Sequence, residues 1–191
     1  MSLPALHHSC FTSPMRLLNC LLTACLVASC SGESKPIIPS NPEGTVTLED
    51  IDVPNQSTAM EGVLTAGQLS EEQMVALAGL GYESFVSLRE ADEGGSGWEE
   101  EFAAEKGIHF VRLPIAGADG IDEAHARKLD ELMAAEARPM VLYCGSSNRV
   151  GALLALRAFH VQGEDPAACL ELGKSTGVTG LEPMLAEKLG L

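Results

Sequence analysis

The stretch Met140-Val141-Leu142-Tyr143-Cys144-Gly145-Ser146-Ser147-Asn148-Arg149-Val150 constrains the fold most. Four consecutive apolar residues without alternation are the pattern of a strand buried on both faces, as a central parallel strand requires. Small residues then turn the chain sharply, and the spacing predicts a helix from about Val150 to Val161. A strand that enters a helix through so tight a loop is the βα junction of an α/β protein, whose ligands gather at the carboxyl edge of the sheet.

The rest of the chain agrees with that class. Val63-Leu64-Thr65, Phe85 to Leu88 and Ile108 to Ile115 read as further strands. Between them, Ser70 and Gln73 form a capping box for a helix whose apolar face is Met74, Leu77, Ala78 and Leu80, stopped at Gly81. A second helix is expected around Trp98 to Lys106, after an acidic, glycine-rich segment from Glu90 to Gly97. A third is expected from an Asp122 cap through Ala135, with Leu129, Leu132 and Met133 inward. Asp165-Pro166 starts another, and Leu181 to Leu189 reads as the last. Strands alternating with helices imply a mainly parallel central sheet flanked by helices on both faces.

The loop after Cys144 combines three physical effects. The successive amides of Gly145, Ser146, Ser147, Asn148 and Val150 can form an anion-binding nest. The helix N-terminus adds about half a positive charge. Arg149 offers a planar fork for two oxygens of a phosphate-like group. The same field favours a thiolate, so one geometry both activates Cys144 and binds its anionic target. Arg89, Glu90 and Asp92 follow a strand parallel to the one ending at Cys144 and belong to the same edge, where a solvated loop is expected. His109 and His160 fit strand and helix patterns as structural residues, Cys169 fits a small core position, and no metal-ligand spacing or cofactor motif stands out.

The sequence Cys-x-Ser-x-Asn-Arg-Val-Gly-Ala-Leu from Cys144 to Leu153 resembles the signature of bacterial protein-tyrosine-phosphatase-like proteins, including the phosphatase-like domain fused to beta-lactamase-like hydrolases. Ala66 to Gln73, Val86 to Arg89, Leu170 to Gly173 and Val178 to Pro183 resemble other parts of that family, so the likeness spans about residues 63–191. It implies a cysteine-phosphatase-like fold and a Cys144 nucleophile, with Arg149 holding the phosphoryl oxygens. A carboxylic acid is also needed to protonate the leaving group. Asp119, in the Gly117-Ala118-Asp119-Gly120 turn, is the expected acid, and Asp122 is expected to cap its helix instead. The chain departs from the phosphatase pattern in several places. Four residues rather than five separate Cys144 from Arg149, a spacing similar to that of rhodanese-type sulfurtransferases. Ser147 stands where a glycine is usual, Tyr143 where a histidine often precedes the nucleophile, and Val150 where a hydroxyl assists the departing thiolate. Three readings follow: a phosphate-monoester hydrolase, a sulfurtransferase carrying a persulfide on Cys144, and a non-catalytic anion-binding module.

Four of the six cysteines lie within the first thirty residues. Arg16, the apolar run from Leu17 and the ending Val27-Ala28-Ser29-Cys30 read as a signal peptide with a bacterial lipobox, giving lipidation at Cys30; Cys25 is the weaker alternative. Residues 31–57 read as a flexible tether and 58–191 as the catalytic domain. The expected location is therefore the bacterial cell envelope, lipid-anchored to a membrane and facing the periplasm. A net charge of −15 argues against a nucleic-acid partner, while one Arg and a ring of amides can still hold an anionic small molecule or a phosphoprotein.

Overall fold

A computed structural model describes residues 45–191. Cys30, Cys25 and the lipobox lie outside the described residues. Among the described residues, no helix is long and apolar enough to cross a membrane.

The order of elements is β1 (Ser57–Met60), β2 (Val63–Ala66), α1 (Glu71–Gly79), β3 (Ser84–Ser87), α2 (Glu99–Lys106), β4 (Phe110–Arg112), α3 (Glu123–Ala135), β5 (Met140–Tyr143), α4 (Asn148–Arg157), α5 (Pro166–Ser175) and α6 (Glu182–Leu189). The sheet runs β1-β2-β5-β3-β4, parallel except for the antiparallel β1–β2 pair. β5 is the central strand and is buried throughout, as its unbroken apolar run requires. Its residues alternate between two cores. Met140, Leu142 and Cys144 join the cluster that includes α3 to α6, whereas Val141 and Tyr143 join the cluster that includes α1 and α2.

The expected helix starts are present. Ser70 Oγ accepts from the Gln73 amide at 3.2 Å, and Gln73 Oε1 accepts from the Ser70 amide at 2.8 Å. Asp165 caps α5 ahead of its proline. The helix expected at Val150 begins two residues earlier, at Asn148, and from Ala158 to Gln162 it loosens into a π turn. β4 covers only Phe110–Arg112 of the strand expected from Ile108 to Ile115.

Two features were not anticipated. β1 is an edge strand with the sequence Ser-Thr-Ala-Met, which carries no apolar alternation. The part of the expected tether that is described, from Thr45, is packed chain: Ile51 and Val53 are buried, and the Gly67 amide donates to Pro54 O at 2.6 Å. Apolar side chains spaced two apart, set among turn-forming residues, were enough to dock this segment against α1 and β2 residues of the same core cluster.

Candidate active site

The parallel strands bring their ends to one edge. Cys144 N donates to Ala66 O at 3.2 Å, Leu88 N to Tyr143 O at 2.8 Å and Ile115 N to Leu88 O at 3.1 Å. The chain then enters α4 through Gly145, Ser146 and Ser147. Gln68 N donates to Gly145 O at 3.3 Å, which ties the turn to the residues after β2. Asn148, Arg149 and Val150 open α4, so their amides lack partners earlier in the helix. The Gly145 and Ser146 amides donate to no other backbone group among the described residues. Unpartnered amides beside a helix start are the chemistry that holds an anion.

Ser147 makes the turn in the left-handed region, at φ 63°. A non-glycine residue pays about 1–2 kcal/mol there. Its buried hydroxyl offsets some of that by donating to Thr176 O at 3.1 Å, so it is turned away from any ligand. A Cβ on Gly177 would overlap the Ser147 hydroxyl, so the glycine expected in the loop is matched by one in the segment packed behind it. The Asn148 side chain is engaged as well. Its Oδ1 accepts from Thr179 N at 2.8 Å and Leu181 N at 3.2 Å, binding the loop to the segment before α6. Val150 is fully buried, so its side chain fills the core. Any anion contact from Ser147, Asn148 or Val150 is therefore made by the backbone.

Arg149 does not stand open. Its Nη1 donates to Glu93 Oε2 at 2.8 Å and to Ile115 O at 2.8 Å, and its Nη2 donates to Glu93 Oε1 at 2.7 Å. Glu93 thus grips the guanidinium through both oxygens, and the Ile115 carbonyl pins it to the chain beyond β4. The Glu93 hydrogen bonds push the Arg149 pKa up against the effect of burial, and the charge of Cys144 adds to the rise. Glu93 in turn is held at about 2, first by its hydrogen bonds from Arg149, against an opposing effect of burial.

Of Arg89, Glu90 and Asp92, expected in a solvated loop, Arg89 is instead nearly buried and braces the site. Arg89 is only 8% exposed; it donates to Glu93 at 3.2 Å, to Gly94 O at 2.8 Å and to Gln68. Gln68 donates to the fully buried Glu99 at 2.7 Å, which pairs with Arg112 at 2.9 Å. Asp92 is exposed. Tyr143 projects to this side of the sheet, and its buried hydroxyl neighbours Glu99 and Ser87 without a hydrogen bond to either. Burial, then the Glu99 charge, push its pKa up.

A cavity of about 570 Å³ opens at Arg149. Ser146, Asn148 and Arg149 supply one wall, and Glu90 and Glu93 another. Gly117, Ala118, Gly180 and Leu181 complete the lining. Asp119 follows Ala118 directly but is exposed on the turn and is not among the lining residues. Asp122 accepts from His125 N at 2.8 Å as the cap of α3. Burial works against its charge, but the His125 contacts hold its carboxyl below the usual range, so it is a poor proton donor. Cys169 is buried in α5, where burial pushes its thiol up. His109 pairs with Glu136 at 2.5 Å and His160 lies 3.6 Å from Glu123, both away from the cavity-lining residues. No cluster of His, Cys, Asp or Glu suited to a metal ion occurs among the described residues.

In this geometry a cysteine ends a central parallel strand and is followed by an amide-rich turn and an arginine in the first helical turn, and the α/β fold that carries it is phosphotyrosine-phosphatase-like. Solved structures share the fold. A candidate phosphatase from Neisseria meningitidis is 16% identical, with a TM-score of 0.58 over 69% of this chain and 96% of its own. TpbA of P. aeruginosa is 21% identical, with a TM-score of 0.56 over 76% of this chain and 87% of its own. The core catalytic domain of SIW14, a PP-IP phosphatase of S. cerevisiae, is 15% identical, with a TM-score of 0.52 over 72% and 86%. No protein-family model and no curated protein sequence matches the chain.

Proposed function

We propose that the protein is a cysteine-dependent phosphate-monoester hydrolase. The observation that carries this reading is the ordered Arg149, held by Glu93 and Ile115 O beside the amides that follow Cys144. A guanidinium fixed in advance loses little freedom when a phosphoryl group arrives, and stabilises the charge spread over its equatorial oxygens in the transition state. The solved relatives are consistent with an anionic ligand: TpbA has been captured with pTyr and SIW14 with citrate.

In the proposed reaction the Cys144 sulfur attacks phosphorus as the bond to the leaving oxygen breaks. Asp119, on the turn that continues from Gly117 and Ala118, would have to swing over the cavity to give that oxygen its proton. Water then attacks phosphorus, returns a proton to Asp119 and breaks the sulfur–phosphorus bond, releasing phosphate and the thiolate. With p-nitrophenyl phosphate or a phosphotyrosine peptide, Cys144→Ser abolishes turnover. Asp119→Asn lowers it by about 10²–10⁴-fold with anion binding retained. Arg149→Lys restores charge but not the fork, so it recovers only part of the loss in Arg149→Ala. Full activity in Cys144→Ser would end the reading.

One observation favours a second reading. Four residues between Cys144 and Arg149 make a smaller ring than five, and such a loop suits a sulfane sulfur on Cys144. A persulfide formed from thiosulfate, with no hydrolysis of aryl phosphates, would establish it. We further propose a cell-envelope location through a lipid on Cys30, supported by the lipobox sequence; Cys30→Ala then abolishes palmitate labelling and membrane partition.

A further inference from the structure

The charges around the cavity limit which phosphate esters can enter it. Arg149 is the only cation among the lining residues, and Glu93 already takes one edge of its guanidinium, through Nη1 and Nη2, which leaves the Nε edge for a single ligand group. Arg89, the nearest second cation in the network, is almost buried and committed to Glu93, Gly94 O and Gln68. No lysine lines the cavity. On the opposite side of the balance stands Glu90. Glu90 lines the same cavity, and its carboxylate makes no hydrogen bond or ion pair among the described residues, although its backbone amide donates to Glu93 at 3.0 Å. The remaining walls, Gly117, Ala118, Gly180 and Leu181, carry no charge.

One phosphoryl group is well provided for by the loop amides, the start of α4 and Arg149. A second anionic group on the same ligand meets Glu90 with no cation to neutralise it, within a chain of net charge −15. We infer that the site selects singly phosphorylated ligands whose surroundings are neutral or cationic, that it rejects polyphosphorylated ones, and that Glu90 is the residue that sets this selectivity. An aryl phosphate in a peptide with basic neighbours fits: the ring meets Leu181 and Ala118, and a nearby lysine or arginine pairs with Glu90. This inference rests on the phosphatase reading for turnover, but its binding part stands independently of it.

The test uses the full chain and two phosphotyrosine peptides identical except for flanking lysines or flanking glutamates. We expect kcat/KM for the basic peptide to exceed that for the acidic one by about tenfold or more, and Glu90→Lys to shrink or invert the ratio. Taking the ratio removes any loss of activity common to both peptides. In parallel, calorimetry on Cys144→Ser compares phosphotyrosine with inositol hexakisphosphate, with phosphotyrosine expected to bind more tightly. Turnover of neither peptide, with phosphotyrosine still preferred in binding, overturns the phosphatase reading and keeps the selectivity. Tighter binding of the polyanion, binding of neither ligand, or a peptide ratio unmoved by Glu90→Lys overturns the inference.

Discussion

In the proposed reaction Arg149 gains from being held still before a phosphoryl group arrives, and Glu93 supplies the one carboxylate that holds it, beside the Ile115 carbonyl. Glu93 sits 56 residues before Arg149 in the sequence, and its carboxyl falls from an ordinary 4.5 to about 2 because ionisation is what secures the guanidinium. A depressed acid contributes stability that is complete above its unfolded pKa and is lost as pH falls through its folded one. The stability difference between the native chain and Glu93→Gln is therefore expected to be constant above about pH 5 and to shrink between 4.5 and about 2. Urea denaturation across that range checks it; a difference that grows on acidification would contradict the pairing. Tyr143 offers a contrasting case. Its hydroxyl is buried with no hydrogen-bond partner, a state that costs about 1–3 kcal/mol. Tyr143→Phe is expected to leave the denaturation midpoint unchanged or raised, and a clear loss would mean that the hydroxyl is satisfied.

At the scale of elements, the sequence and the structure agree where local chemistry decides. The Ser70–Gln73 capping box, the Asp122 and Asp165 caps and the continuous apolar run of β5 each act through neighbours a few residues apart, and each is where the sequence places it. The places of Cys144 after β5 and of Arg149 in the first turn of α4 were legible for the same reason, since loop and helix start are contiguous. Glu93 was not, because an acidic, glycine-rich run looks like solvated surface until the fold delivers Arg89 and Arg149 to it. β1 escaped because an edge strand held mostly by its backbone needs no apolar alternation. Packing between helices also leaves little trace. A Cβ on Gly151 would lie 2.5 Å from Gly173 O and 2.8 Å from Val178 N, so α4 and α5 approach through a gap only glycine leaves. Gly151→Ala is expected to destabilise the fold by about 1–3 kcal/mol or more and, because α4 carries Arg149, to lower activity as well. An unaltered midpoint would show that the helices can separate at no cost.

For the molecule as a whole, the packed segment before β1 redraws where the folded unit starts. Burying a side chain such as Ile51 or Val53 contributes about 1.5–3 kcal/mol each. A fragment beginning at Ser57 is thus expected to be less stable by a few kcal/mol than one beginning at Thr45, as read by thermal or urea denaturation; equal stability would make the segment a passive cover. The two faces of the sheet serve different ends. The α3 to α6 side carries the helix that presents Arg149, and the α1 and α2 side carries the ion network that fixes Arg89 and, through it, Glu93. The central claim is that these parts converge on phosphoryl transfer to Cys144. Rapid-quench intact-mass analysis during turnover of an aryl phosphate tests it most directly. The account predicts a phosphoryl adduct that maps to Cys144, is absent in Cys144→Ser and disappears as phosphate is released. Hydrolysis without any adduct on Cys144, or an adduct mapping to another residue, would contradict it.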